Sequence, residues 1–147
     1  SPTGVEYPIE SAGILHRPHR WSGTTKGSLT MGYEVAVTPL QLASAYAAIA
    51  NDGILFRPIL VRQIRSPGGA VVWEPQLEPV RRAVSAEVAA ELRAALSGVV
   101  YEGGTAGTAA LQTYEVAGKT GTARRAGPNG YIEGSYTASF ASLFPAE

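Results

Sequence analysis

The stretch Glu115-Val116-Ala117-Gly118-Lys119-Thr120-Gly121-Thr122-Ala123 decides how this chain reads, because an apolar alternation runs into a lysine and two hydroxyls set among glycines. As a β-strand it sends successive side chains to opposite faces, so Lys119 and Gly121 share one face while Thr120 and Thr122 share the other. Glycine within a strand forfeits packing and backbone entropy, and it commonly marks close approach by a ligand or another backbone. Gly118 and Gly121 bracket the lysine in that way. Lysine occurs only here and at Lys26, against ten arginines. Its ammonium is a compact point charge with three donors. Beside two threonine hydroxyls and a backbone N–H, it suits a carboxylate or an oxyanion. A surface lysine on an edge strand is the plainer reading of an isolated Lys-Thr-Gly, since tripeptides recur by chance.

Gly118-Lys119-Thr120 also resembles the end of a phosphate-binding loop, but that motif requires a glycine five positions before Gly118, where Thr113 stands. It also runs from strand into helix. Here Arg124-Arg125 leads instead into Ala126-Gly127-Pro128-Asn129-Gly130, a turn composition.

At 147 residues and 45% hydrophobic, the chain is long enough for one domain with a core. A formal net charge of zero gives no field that argues for nucleic acid or an anionic membrane surface. The absence of cysteine excludes a disulfide framework and thiol chemistry. His16 and His19 sit in Leu15-His16-Arg17-Pro18-His19-Arg20, which holds no acid or thiol, so a solvated loop is expected there and a metal site is not. No apolar run approaches the roughly 18 residues needed to cross a bilayer, and no signal peptide opens the chain. With no initiator Met, and with Phe144-Pro145-Ala146-Glu147 ending where a strand would hand over to another element, both ends are expected to be cuts within a longer protein.

Residues 1–30 are rich in Gly, Pro, Ser and Thr and predict an irregular, turn-rich segment, with Trp21 as the aromatic anchor that plugs it onto the surface. Thr38-Pro39-Leu40-Gln41 predicts a helix start: a Thr cap, Pro at the first helical position and Gln completing a capping box. The helix should end near Asn51-Asp52-Gly53, with Gly53 as a left-handed cap. Few polar residues interrupt its circumference, so burial on most sides is expected. Residues 59–65 and 70–74 flank Ser66-Pro67-Gly68-Gly69 and predict a peripheral hairpin. Ser85 caps a second helix with Glu87 in its first turn, and Val88, Leu92, Ala95, Leu96 and Val99 form its expected apolar stripe. Gly103-Gly104-Thr105-Ala106-Gly107-Thr108 breaks that pattern. Residues 135–144 are β-rich and should pair antiparallel with the lysine strand. The expected class is α+β, helices packed on an antiparallel sheet.

Several of these segments together resemble the transpeptidase domain of class B penicillin-binding proteins, the bacterial enzymes that cross-link peptidoglycan. The resemblance is carried by Thr3-Gly4, Pro8-Ile9-Glu10 and Ala12-Gly13, by Gly32-Tyr33-Glu34-Val35, and by Thr38-Pro39-Leu40-Gln41-Leu42-Ala43 with Ala45-Tyr46-Ala47-Ala48-Ile49-Ala50-Asn51. It continues through Gly104-Thr105-Ala106 and Ala117-Gly118-Lys119-Thr120-Gly121-Thr122-Ala123 to Ser139-Phe140 and Phe144-Pro145. Ser142 departs from it, standing where the family usually has Gly. The family's chemistry uses a Ser-x-x-Lys nucleophile, a Ser-x-Asn and a Lys-Thr-Gly strand, and only the last occurs in this sequence.

The resemblance implies a partial transpeptidase fold of the serine β-lactamase/penicillin-binding kind over residues 1–147, with the other two motifs upstream of Ser1. It implies serine acyl transfer on stem peptides ending in D-Ala-D-Ala, β-lactams as acylating inhibitors, no cofactor, no metal and no nucleic acid. The parent would act on the outer face of the cytoplasmic membrane, held by an N-terminal anchor. At the matching positions it implies Lys119 and Thr122 as catalytic groups and Lys119, Thr120, Gly121 and Thr122 as substrate-binding groups, with the Thr122 N–H as one oxyanion donor. To bring lysine and threonines to one side of the strand, a twist or bulge is expected near Gly121. Without a serine attacker the 147-residue chain is expected to be inactive and to self-associate through an exposed helix face or strand edge. The rival reading is a non-catalytic relative that keeps the fold to bind a peptide or β-lactam, or to scaffold partners.

Overall fold

The computed structural model describes every residue except Glu102, Asn129 and Glu147. In chain order the elements are β1 (Ile14–Leu15), α1 (Thr25–Thr30), β2 (Val35–Ala36), α2 (Pro39–Ala50), β3 (Ile54–Phe56), β4 (Ile64–Arg65), β5 (Val71–Trp73), β6 (Pro79–Arg82), α3 (Ala86–Ser97), β7 (Ala117–Gly127) and β8 (Gly130–Leu143), with 3-10 turns at Pro18–Arg20 and Gly107–Ala109. This is the mixed α+β content expected, with antiparallel strand pairs. The chain divides into two compact units, Ser1–Ala45 with Phe56–Arg81 and Tyr46–Leu55 with Arg82–Glu147.

In the first unit the N-terminal segment holds more structure than its composition predicts. β1 pairs antiparallel with β2, and α1 lies between them in sequence. The reason is a set of side-chain bonds that composition does not show. The Thr25 hydroxyl, buried, donates to Glu34 Oε2 at 2.8 Å, and Trp21 Nε1 donates to the His16 carbonyl at 2.8 Å, which makes half-buried Trp21 the anchor expected. Glu10 accepts the N–H groups of Thr3 and Gly4 at 2.6 and 3.1 Å. Hydrogen bonds from the Thr3 hydroxyl and from these backbone groups hold its carboxyl below the usual carboxylate range.

The capping box is reciprocal: Gln41 N–H donates to Thr38 Oγ1 at 3.1 Å and Thr38 N–H to Gln41 Oε1 at 2.9 Å. Gln41 Nε2 also donates to the carbonyls of Ser1 and Ala12 at 2.8 and 3.1 Å, so one side chain starts the helix and ties down the N-terminal segment. The expected hairpin forms with Ile64 opposite Trp73 and Arg65 opposite Val71, but its first strand is only β4, since residues 59–63 stay outside it.

In the second unit α2 ends as expected at Gly53, whose φ is +83° and whose N–H donates to the Ala48 carbonyl at 2.8 Å. Burial on most sides is not observed. Along α2 only Ala48 is buried, and Ala43, Ala45, Ala47 and Ala50 are exposed. Every sheet among the described residues is two-stranded, too narrow to cover such a helix.

The Ser85 side chain caps α3 by accepting the Val88 N–H at 3.3 Å. The buried face of α3, however, runs through Ala89, Arg93, Leu96, Ser97 and on to Val100, one residue round from the expected stripe, leaving Val88, Leu92 and Ala95 exposed. Arg93 sets that rotation. Its guanidinium donates to the Ile49 carbonyl at 2.7 Å and pairs with Asp52 at 3.1 Å, satisfying a carbonyl that the end of α2 leaves open.

The hairpin β7–β8 dominates this unit, and α3 packs against β7. The strands are longer than predicted. Ala126, Gly127 and Gly130 belong to them, so the turn expected over 126–130 shrinks to its middle, where Asn129 lies outside the described residues. Ser142 stands opposite Gly118 and is exposed, so the departure there is accommodated without burying a hydroxyl. At the far end Ala146 N–H donates to the Glu115 carbonyl at 3.0 Å, so the described part of the expected cut end still has a neighbour, and Glu147 lies outside the description.

Candidate active site

Lys119, Thr120, Gly121 and Thr122 lie in the first half of β7, opposite Ala141, Phe140, Ser139 and Ala138. Just before them the strand is buried. Ala117 is 0% exposed and packs beside Val116 and Gly118, whereas Lys119 and Thr122 are exposed and Thr120 is half-buried. A buried inner end and a solvent-facing outer end give a rigid rod that presents its polar groups outward, which is what a pre-organised site requires.

The pairing is regular from Ala117 to Arg124, and the irregularity falls between Arg124 and Ala126. Of the twist or bulge expected near Gly121 the bulge is therefore absent, and Thr120 and Thr122 stay on the face opposite Lys119 at the level of Cβ. The lysine stem resolves the conflict instead. Four methylenes are long enough to fold back over the strand, and Lys119 Nζ donates to the Thr120 carbonyl at 3.1 Å and to Thr120 Oγ1 at 3.4 Å. Pleating fixes where a side chain leaves the backbone, and a long flexible chain ends where its donors find acceptors. Among the described residues no carboxylate pairs with Lys119.

The two glycines serve the hairpin. A Cβ at Gly118 would stand 2.6 Å from the Phe140 ring and 2.8 Å from the Ala141 carbonyl oxygen, and one at Gly121 would stand 2.6 Å from Ser139 Oγ. The close approach read from the sequence is real, and what approaches is β8.

One group escaped the sequence reading. Thr105 Oγ1 lies 3.2 Å from Thr120 Oγ1, which brings the Gly103-Gly104-Thr105 turn to the lysine strand. Two adjacent glycines before a hydroxyl were the available signal, but they read equally well as a helix breaker. The His16–His19 run behaves as expected, exposed and turn-forming. With Leu15, Arg17 and Arg20 its histidines line an open depression of about 330 Å³ that contains none of the predicted site residues.

An ammonium with no carboxylate partner among the described residues, the Thr120 hydroxyl beside it and the exposed Thr122 hydroxyl thus share one stretch of β7. Neither Ser-x-x-Lys nor Ser-x-Asn occurs in the sequence.

Known proteins of one family resemble this chain. A family model described as the penicillin-binding protein transpeptidase domain matches residues 1–147. Penicillin-binding protein PbpB of Mycobacterium tuberculosis is 37% identical over 99% of this chain, which spans 22% of that relative. A probable peptidoglycan D,D-transpeptidase, PbpC of Pseudomonas aeruginosa, is 36% identical over 99% of the chain, which spans 24% of it. Among solved structures, penicillin-binding protein 3 from Mycobacterium tuberculosis, complexed with ampicillin, superposes with a TM-score of 0.86 at 37% identity, covering 99% of this chain and 34% of that one. The transpeptidase domain of Burkholderia pseudomallei penicillin-binding protein 3 gives 0.81 at 32% identity, over 97% and 40%.

Proposed function

We propose, from the premise that this chain belongs to the penicillin-binding protein transpeptidase domain family, that it forms the C-terminal portion of one serine D,D-transpeptidase domain. The substrate is a peptidoglycan stem peptide ending in D-Ala-D-Ala, and β-lactams acylate the same site. Action on that substrate places the protein outside the cytoplasm, where an N-terminal segment tethers it to the membrane.

The observation that carries this reading is β7 itself: an exposed Lys119 folded onto Thr120, on a strand whose described neighbour, β8, occupies one edge. A peptide can add to the open edge as a further strand, held by main-chain bonds. Its terminal carboxylate then meets the Thr120 and Thr122 hydroxyls within the positive potential of Lys119. The Thr122 N–H acts as one oxyanion donor, stabilising the charge that develops on the scissile carbonyl oxygen as the tetrahedral intermediate forms. The attacking serine and its lysine base come from a segment outside these residues, and no metal or organic cofactor enters the step.

The coding sequence ahead of Ser1 tests this. A Ser-x-x-Lys followed by a Ser-x-Asn is expected there, together with acylation of the full-length gene product by penicillin. A full-length product with both motifs that never acylates would favour a non-catalytic peptide-binding or scaffolding role, and their absence would remove the enzyme reading altogether.

A further inference from the structure

We propose that Thr105 is a positioning residue for the carboxylate-binding hydroxyl of Thr120, an inference that rests on the reading of the Lys-Thr-Gly strand given above. The geometry is a chain of three polar groups: Thr105 Oγ1 is 3.2 Å from Thr120 Oγ1, which also receives Lys119 Nζ at 3.4 Å. A threonine oxygen has one proton and two lone pairs. Lys119 takes one lone pair, and in the proposed arrangement Thr105 is the donor of the hydroxyl pair, so its proton takes the other. The Thr120 proton is then the only bond left to make, and it points away from both partners toward an incoming anion. Without Thr105 the Lys119 bond alone orients the Thr120 hydroxyl, and its proton is more often spent on water. Successive bonds in such a chain also polarise one another.

Thr105 is held in place from both sides. A Cβ on Gly104 would stand 2.2 Å from the Val99 carbonyl oxygen, so only glycine fits there, and Gly104 N–H donates to the Tyr101 carbonyl at 2.8 Å. Ala106 is buried with Val100 and Val116, and its N–H donates to the Val99 carbonyl at 3.0 Å. Val116 directly precedes β7, so one small core sets both the turn and the strand, and thereby the distance between the two hydroxyls.

The test uses the full-length gene product with Thr105→Val, which keeps the shape and removes the hydroxyl, and Thr105→Ser, which keeps the hydroxyl. The second-order acylation rate is measured with benzylpenicillin and with its methyl ester, after thermal melting shows each variant folded. Thr105→Val is expected to slow acylation by the free acid about tenfold, as for one lost bond to a charged acceptor. The ester rate should stay within about twofold, and Thr105→Ser should recover most of the acid rate. Equal losses for acid and ester, or no loss in either, overturn the proposal. A wild-type protein that acylates equally fast with acid and ester overturns it too, and that result, visible without any substitution, marks the failure of the carboxylate reading of β7.

Discussion

A methyl group added at Gly118 would have to displace the Phe140 ring and the Ala141 carbonyl oxygen, the second of which belongs to the pairing strand and cannot move without breaking register. At Gly121 the same methyl meets the tip of a serine side chain, which can rotate. Gly118→Ala should therefore destabilise the chain by about 1–3 kcal/mol, as overpacking does, and Gly121→Ala by less. Denaturant titration of the two variants checks the order. The sequence made both glycines legible as points of close approach, yet it could not say whether ligand or strand approaches, because the partner lies in β8, some way along the chain. No bulge is needed near Gly121, because alternation holds only at Cβ and the flexible Lys119 stem reaches across it, which pleating alone does not reveal.

Helix ends were the most legible elements, since caps are local chemistry. Thr38 and Gln41, Ser85 and Gly53 all act where their types and spacing put them. The inward face of α3 was not legible, because Arg93 is recruited inward by Asp52 and the Ile49 carbonyl, partners more than 40 residues away in sequence. Gln41→Ala should cost about 1 kcal/mol through the lost cap, and it should also free the N-terminal segment. Faster amide exchange at Ala12 and Gly13 in that variant would show the second effect, and unchanged exchange there would contradict the tie through Gln41 Nε2. Glu10 and Glu87 add a pH dependence. The carboxyl of Glu87 is held low by its own backbone N–H and by the Ser85 hydroxyl, and that of Glu10 by Thr3 and Gly4. A carboxyl whose folded pKa lies below its unfolded value contributes stability that is present above the unfolded value and lost as pH falls through the folded one. The melting temperature should thus hold steady down to about the ordinary carboxylate pKa and fall below it, with a shallower fall in Glu87→Gln.

Across the whole chain the accessible surface is 10953 Å² for 15.3 kDa. A folded monomer of that mass exposes roughly 7,100 Å², and even two separate domains of half the mass would expose roughly 8,600 Å². The surplus is apolar in part: Val88 and Leu92 on α3, Leu60 and Val61, and Val72 and Trp73 on β5 are all exposed. Surfaces of this kind associate in water. The 147-residue chain should therefore exceed monomer mass in light scattering as concentration rises, and a constant monomer mass would contradict the expectation.

If β7 supplies one wall of a serine acyl-transfer site, as proposed, the attacking serine lies outside residues 1–147. The most direct measurement is mass-spectrometric mapping of penicillin on the full-length gene product, run beside Lys119→Ala and beside the 147-residue chain alone. The account predicts one penicilloyl adduct on a serine outside residues 1–147, at least tenfold slower labelling in folded Lys119→Ala, and no adduct on the isolated chain. An adduct on any residue within 1–147, or labelling of Lys119→Ala at the wild-type rate, would contradict it.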